Sequence, residues 1–185
     1  MGKLSLIELP LSGAYSIKPN KYEDNRGSFS RFFCKEELSS IFGMDIAQIN
    51  HSITNKKGSV RGMHFQYSPN AEIKIVKCIR GSVFDVIVDL RKNSNTFLQW
   101  FGMILSKDNM SSILIPKGFA HGFQTLEDNS ELLYLHSEIY TPSNEGALNV
   151  ADPALGIDWP LPFADISERD YGHQMIQKNF KGIEI

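Results

Sequence analysis

The sequence predicts an all-β sandwich or barrel, on three observations. Short strand-like runs recur about every ten residues. Turn signals separate them, and a strand–helix–strand alternation is missing, which argues against a doubly wound nucleotide fold. The chain has 185 residues, enough for one domain with a sizeable core. No boundary, repeat or low-complexity tract interrupts it, so residues 1–185 read as one domain.

Taken in order, Leu4 to Leu9 and Ala14 to Ile17 are short strand candidates. Ser28 to Phe33 alternates around Phe29. Lys35 to Phe42 places Leu38, Ile41 and Phe42 at helical spacing and predicts the first helix. Asn55 to Gly58 is a turn. Val60 to Gln66 is a strand whose strict alternation sets Arg61, Met63 and Phe65 on one face and Gly62, His64 and Gln66 on the other. Ile73 to Ile79 and Val83 to Leu90 are apolar strands joined by a tight turn at Arg80-Gly81-Ser82. Phe97 to Leu105, Ser112 to Ile115, Phe119 to Leu126 and Leu132 to Tyr140 complete the strands. After Pro153 the chain is loop-rich. Ser167 to Gln174 predicts one short helix capped by Ser167, with Asp170 three residues on in a near-capping box.

Composition narrows the function. Lys and Arg number 19 against 21 Asp and Glu, so a broad nucleic-acid footprint is not expected. Apolar residues make up 42% and charged residues 22%, which is ordinary for a globular chain. Cys34 and Cys78 form no CxxC pair and predict neither a disulfide framework nor a cysteine zinc site. The start, Met1-Gly2-Lys3-Leu4-Ser5-Leu6, lacks an apolar signal core, and Leu6 stands where a myristoylation motif carries Ser or Thr. No apolar run reaches membrane-spanning length. These features read as a soluble cytoplasmic domain without a membrane partner.

Polar groups set among core-forming residues mark the candidate chemistry. A lone strand histidine such as His64 is more often a hydrogen-bonded structural residue, a strand-edge lysine such as Lys74 more often solvated, and a strand tyrosine such as Tyr134 more often packing. The run Ile115-Pro116-Lys117-Gly118-Phe119-Ala120-His121-Gly122-Phe123 is sharper. Its Pro-x-Gly turn followed by a strand histidine resembles the second motif of the cupin superfamily. The stretch matching the first cupin motif has only His64, followed by Phe65 and Gln66, so the usual metal-ligand spacing is missing and no metal is expected. Histidine, lysine and tyrosine without a metal suit proton transfer beside a carbonyl: a base near neutral pH, a cation for the enolate oxygen, and an acid from another direction.

Further motifs strengthen the likeness. They are Asp24-Asn25-Arg26-Gly27, Gln48-Ile49-Asn50-His51-Ser52, Val60 to Gln66, Lys74 to Gly81, Val83-Phe84-Asp85-Val86, Val88-Asp89-Leu90-Arg91, Pro116 to Phe123, Leu133-Tyr134, Asp152-Pro153 and Gly156-Ile157-Asp158-Trp159-Pro160. With these the chain resembles the dTDP-4-dehydrorhamnose 3,5-epimerase family over nearly its whole length. The resemblance implies a cupin-like double-stranded β-helix, or jelly roll, with a few short helices. It also implies a homodimer whose N-terminal strands cross to the partner, and a nucleotide-diphosphate 4-keto-6-deoxyhexose as substrate, with no cofactor. By the same resemblance His64 is the base, Asp170 its carboxylate partner, Lys74 the enolate stabiliser and Tyr134 the acid on the other face. Arg26 and Arg61 match arginines that hold the diphosphate, and Phe29, Gln48, Asn50, His121 and Tyr140 match other substrate-binding positions.

Departures from the family pattern are Arg31 in place of a glutamate near the nucleotide, and Leu135 and Ile139 where many members carry lysine and tyrosine. They leave open the base of the nucleotide and whether C3, C5 or both are inverted. The competing readings are a metal-dependent cupin using His64 and His121, a 3,4-ketoisomerase of similar sugars, and a non-catalytic sugar-binding module.

Overall fold

The computed structural model describes residues 3–43 and 45–185, so the reading made at Met1-Gly2 lies outside the described residues. Chain order gives β1 (Leu4–Glu8), β2 (Tyr15–Pro19), β3 (Lys21–Asp24), β4 (Gly27–Ser30), the single helical turn α1 (Ser39–Phe42), β5 (Gln48–Thr54) and β6 (Ser59–Gln66). Next come β7 (Lys74–Arg80), β8 (Ser82–Asp89), β9 (Trp100–Ser106), β10 (Ser112–Ile115), β11 (Phe119–Thr125) and β12 (Ser130–His136). The chain finishes with β13 (Glu145–Ala147), β14 (Asp165–Ile166) and α2 (Glu168–Tyr171).

Two sheets form, one ordered β1-β2-β10-β7-β12-β5 and the other β13-β6-β11-β8-β9, with β14 added in parallel to β6. β3 and β4 make a separate hairpin. Strands distant in sequence are neighbours in each sheet, which is the jelly-roll arrangement expected from the resemblance.

Strand alternation explains three apolar clusters. In β7, Val76 and Cys78 join Ile113 and Leu132 against Val83, Ile87, Phe119 and Phe123 of the second sheet. The intervening Ile75 turns to the opposite side, where Ile17, Leu114 and Leu135 meet Leu38 and Phe42 of the α1 segment. The outer side of the second sheet, with Val60, Met63, Val86 and Val88, is covered by Leu148, Val150, Leu155 and Ile183 of the C-terminal segment. Both faces of β7 and β8 are therefore covered, which is why they read as near-continuous apolar runs. Truncating a side chain such as Ile87 in the central layer would cost about 2–5 kcal/mol.

Several boundaries differ from the sequence reading. The first helix shrinks from Lys35–Phe42 to Ser39–Phe42, and Leu38 at its N-cap supplies no side-chain acceptor. β12 stops at His136, ahead of the 3-10 turn at Pro142–Asn144. β5 carries no apolar-in pattern because its polar residues face inward: Asn50 and Ser52 bond to His136 and Tyr134, while Ile49 and Ile53 are exposed. Cys34 and Cys78 are free thiols. No helix among the described residues is long and apolar enough to cross a membrane.

The strict alternation expected for β6 breaks at Gly62. Pairing with β11 runs His121 to His64 and then Phe123 to Arg61, with a register shift between them. Gly62 has φ +134°, and a Cβ there would lie 2.6 Å from the Gly122 Cα, so neither strand tolerates a side chain at this crossing. The shift sends Met63 into the outer core and turns both Arg61 and His64 toward the same cleft.

Candidate active site

An open cleft of about 650 Å³ lies between β5, β7 and β12 on one wall and β6 and β11 on the other. Three of the imidazoles that line it each pair with a buried carboxylate. On the second sheet, His64 Nε2 lies 2.8 Å from Asp170 Oδ1. On the first, His136 Nδ1 lies 2.6 Å from Glu72 Oε2. At the floor, His121 Nε2 lies 2.9 Å from Asp85 Oδ2, and Asp85 is completely buried.

Local structure explains how Asp170 reaches His64 across 106 residues of chain. Ser167 caps α2 by accepting the Asp170 backbone N–H at 3.0 Å. The Asp170 carboxylate does not reach back to close a capping box. It accepts instead from His64 and, at 3.2 Å, from the Gly62 backbone N–H. Burial pushes the Asp170 carboxyl up, but the His64 hydrogen bond and charge and the Gly62 N–H outweigh it and hold the group below its usual range. An ionised carboxylate only accepts, so His64 Nε2 carries the proton and its Nδ1 lone pair is left free.

The facing wall has a different make-up. Lys74 is buried, with Nζ 3.0 Å from Glu72 Oε1. Burial pushes the Glu72 carboxyl up; the bond from His136 and the charge of Lys74 overcome this and hold it low. One carboxylate thus serves a lysine and a histidine. Asn50 Nδ2 lies 3.4 Å from His136 Nε2. Tyr134 shares a 3.0 Å hydrogen bond with Ser52 Oγ, and burial pushes its phenol well above its usual range, so it stays protonated at neutral pH. The Tyr134 ring lies 6.2 Å from that of His121, the direct strand neighbour of His64.

The remaining expected residues divide into two sets. Arg61 borders the cleft, its Nε donating to Thr54 Oγ1 at 3.0 Å. Gln48 Oε1 accepts the Tyr140 backbone N–H at 2.9 Å, and the Tyr140 hydroxyl donates to Glu145 Oε2 at 2.8 Å. Gln48, Asn50, Arg61, His121 and Tyr140 therefore gather with His64, Lys74, Tyr134 and Asp170. Arg26 and Phe29 do not: they sit on the exposed β3–β4 hairpin, where Arg26 pairs with Asp24.

Glu72, His136, Ser52, Glu145, Arg169 and His173 were missed in the sequence, although all but His173 line the cleft. His136 lies two residues beyond Tyr134 on one strand face and Glu72 two before Lys74, a spacing that could have revealed both. His173 Nε2 lies 3.6 Å from Asp170 Oδ1, and burial holds that imidazole below its usual range.

The chain matches the family described as dTDP-4-dehydrorhamnose 3,5-epimerase over residues 8–178. It is 40% identical over 184 residues to the dTDP-4-dehydrorhamnose 3,5-epimerase of Methanothermobacter thermautotrophicus, covering 97% of this chain and 98% of that relative. The structure of the dTDP-4-dehydrorhamnose 3,5-epimerase from Bacillus anthracis, with TDP and PPi bound, superposes with a TM-score of 0.90 at 36% identity, covering 94% of this chain and 99% of that one. The dTDP-6-deoxy-D-glucose-3,5-epimerase from Legionella pneumophila, in complex with dTDP-4-keto-L-rhamnose, gives 0.88 at 36% identity, covering 93% and 92%.

Proposed function

The chain belongs to the dTDP-4-dehydrorhamnose 3,5-epimerase family, and from that premise we propose that it inverts C3 and C5 of a dTDP-4-keto-6-deoxyhexose through an enolate. The 4-keto group acidifies the hydrogens on both neighbouring carbons. The observation that carries the reading is the His64–Asp170 pair, whose free Nδ1 belongs to a half-exposed imidazole in a cleft walled on the far side by Lys74 and Tyr134.

The steps use side chains of this chain. His64 Nδ1 takes the carbon-bound proton, and Asp170 stabilises the imidazolium that results. The Lys74 ammonium faces the enolate oxygen and offsets its negative charge. Tyr134, kept protonated by burial, returns a proton from the opposite wall. Two sheets facing each other supply base and acid from opposite sides, which is what inversion at a flat enolate carbon requires. Arg61 suits a diphosphate oxygen, while Gln48, Asn50, His121 and Tyr140 border the sugar and nucleotide. Arg26 and Phe29 enter this scheme through a homodimer in which the β3–β4 hairpin of one copy reaches the cleft of the other. Their exposure on a hairpin outside both sheets supports that role.

The test is proton NMR of dTDP-4-keto-6-deoxyglucose with the protein in D2O. Loss of the C3 and C5 proton signals, followed by rhamnose formation with a coupled 4-ketoreductase, is the expected outcome. Exchange at one carbon would make the protein a single-centre epimerase. No exchange here or with the CDP, UDP and GDP analogues would overturn the proposal.

A further inference from the structure

Asp170 differs from the other cleft carboxylates in having two imidazoles against it. His64 Nε2 lies 2.8 Å and His173 Nε2 3.6 Å from the same Oδ1, and the three donor atoms all lie within 4.8 Å of one another. His173 Nε2 is shielded from solvent and makes no hydrogen bond among the described residues. Its position is nevertheless built. The buried Asn149 donates through Nδ2 to the carbonyls of Tyr171 and His173, at 2.9 and 3.0 Å, and the His173 ring stands edge-on to that of His64 at 6.0 Å.

We propose that His64, Asp170 and His173 form a transition-metal site that binds Zn2+ and thereby switches off the base. Two imidazole nitrogens and one carboxylate oxygen suit zinc and its neighbours rather than the all-oxygen shells of magnesium or calcium. Zinc–nitrogen bonds of about 2.0–2.1 Å in a tetrahedron set the donors roughly 3.3 Å apart. The observed 2.8 and 3.6 Å separations straddle that figure, and the third, between the two imidazole nitrogens, lies within 4.8 Å, so closure draws the two rings toward a common centre. His64 and Asp170 both border the cleft, which gives an ion a route to the site.

The other pairs lack this set. Glu72 has the Lys74 ammonium against it, which repels a dication, and Asp85 has the single imidazole of His121. Arg169, whose charge bears on His173 and Asp170, is held in an ion pair with Glu145.

Inhibition follows from counting protons. In the metal-free pair the single proton of neutral His64 sits on Nε2, facing Asp170, and Nδ1 is the base. A metal on Nε2 uses that lone pair, so the proton moves to Nδ1 and no lone pair remains there to accept a substrate proton. The inhibition half of the proposal rests on the epimerase reading; the binding half does not.

The first experiment titrates chelator-treated protein with Co2+ and reads the visible d–d bands. Bands of tetrahedral intensity in the wild type that weaken by at least about tenfold in affinity in His173→Gln are expected. If that variant does not fold, Asp170→Asn tests the same ligand set by the same spectrum, without reading turnover. No tetrahedral bands up to millimolar Co2+, or equal binding by the variants and the wild type, would overturn the site. A second arm adds Zn2+ to turning-over enzyme, each variant being compared with its own metal-free rate. Inhibition reversed by EDTA and relieved in His173→Gln supports the switch. Activation by Zn2+, or full activity with zinc bound by calorimetry, sinks it. Failure of the epimerase reading itself would show as absent turnover while the Co2+ spectrum still reported the site.

Discussion

The two walls of the cleft carry the same motif, an imidazole on a buried carboxylate, in different surroundings. His64 is 33% exposed on its side chain and His136 only 10%, while Asp170 and Glu72 are equally buried at 7%. Asp170 meets imidazoles and a backbone N–H, so its charge is free to stabilise a protonated His64. The charge of Glu72 is already shared with Lys74. The first wall therefore fits a group that changes protonation, and the second a fixed charge pattern around the enolate oxygen. A histidine's chemistry is set by what else its carboxylate holds.

The largest expected effect separates the two histidines. His64→Ala should lower kcat by about 10³-fold, whereas His136→Gln, which keeps a donor for Glu72, should lower it far less. Equal losses in steady-state assays would break the distinction between the walls. Next, Tyr134→Phe should slow inversion by about 10²-fold while leaving solvent exchange by His64 measurable in D2O. Parallel loss of exchange and inversion would take the acid role from Tyr134.

Glu72→Gln tests the fixed-charge wall through stability. Breaking a buried ion pair from one side costs about 3 kcal/mol at neutral pH, readable by urea unfolding. Glu72 is held low in the folded chain, so its stabilisation is complete above the unfolded carboxylate pKa of about 4.3 and is lost as pH falls through the folded value. The gap between wild type and Glu72→Gln should therefore narrow below about pH 4; a constant gap would mean that Glu72 acts through packing. The smallest effect sharpens the other wall. Ser167→Ala should cost about 1 kcal/mol of stability and lower kcat by only a few-fold, because its Oγ is engaged in capping the helix that places Asp170; a loss as large as that of His64→Ala would give Ser167 a direct role in the cleft it borders.

Much of the site was legible in short motifs. His64, Lys74 and Tyr134 stand out as polar residues inside apolar strands, and Ser167 three residues before Asp170 announces a helix start. Less legible was β5, whose exposed Ile49 and Ile53 and inward Asn50 and Ser52 reverse the usual pattern because the inside here is a polar cleft. Alternation also misled at β6, since Arg61 and His64 share the cleft only through the register shift at Gly62.

By itself the sequence determined the strand periodicity, the all-β class and the residue types able to move a proton, because these follow from local patterns of period two and from side-chain chemistry. Only the tertiary structure decided which carboxylate meets which imidazole. Glu72 and His136 are 64 residues apart, His64 and Asp170 are 106 apart, and the orphan nitrogen of His173 lies beside that second pair. Such contacts depend on strand order and on one glycine crossing that shifts the register, and neither leaves a periodic trace in the chain.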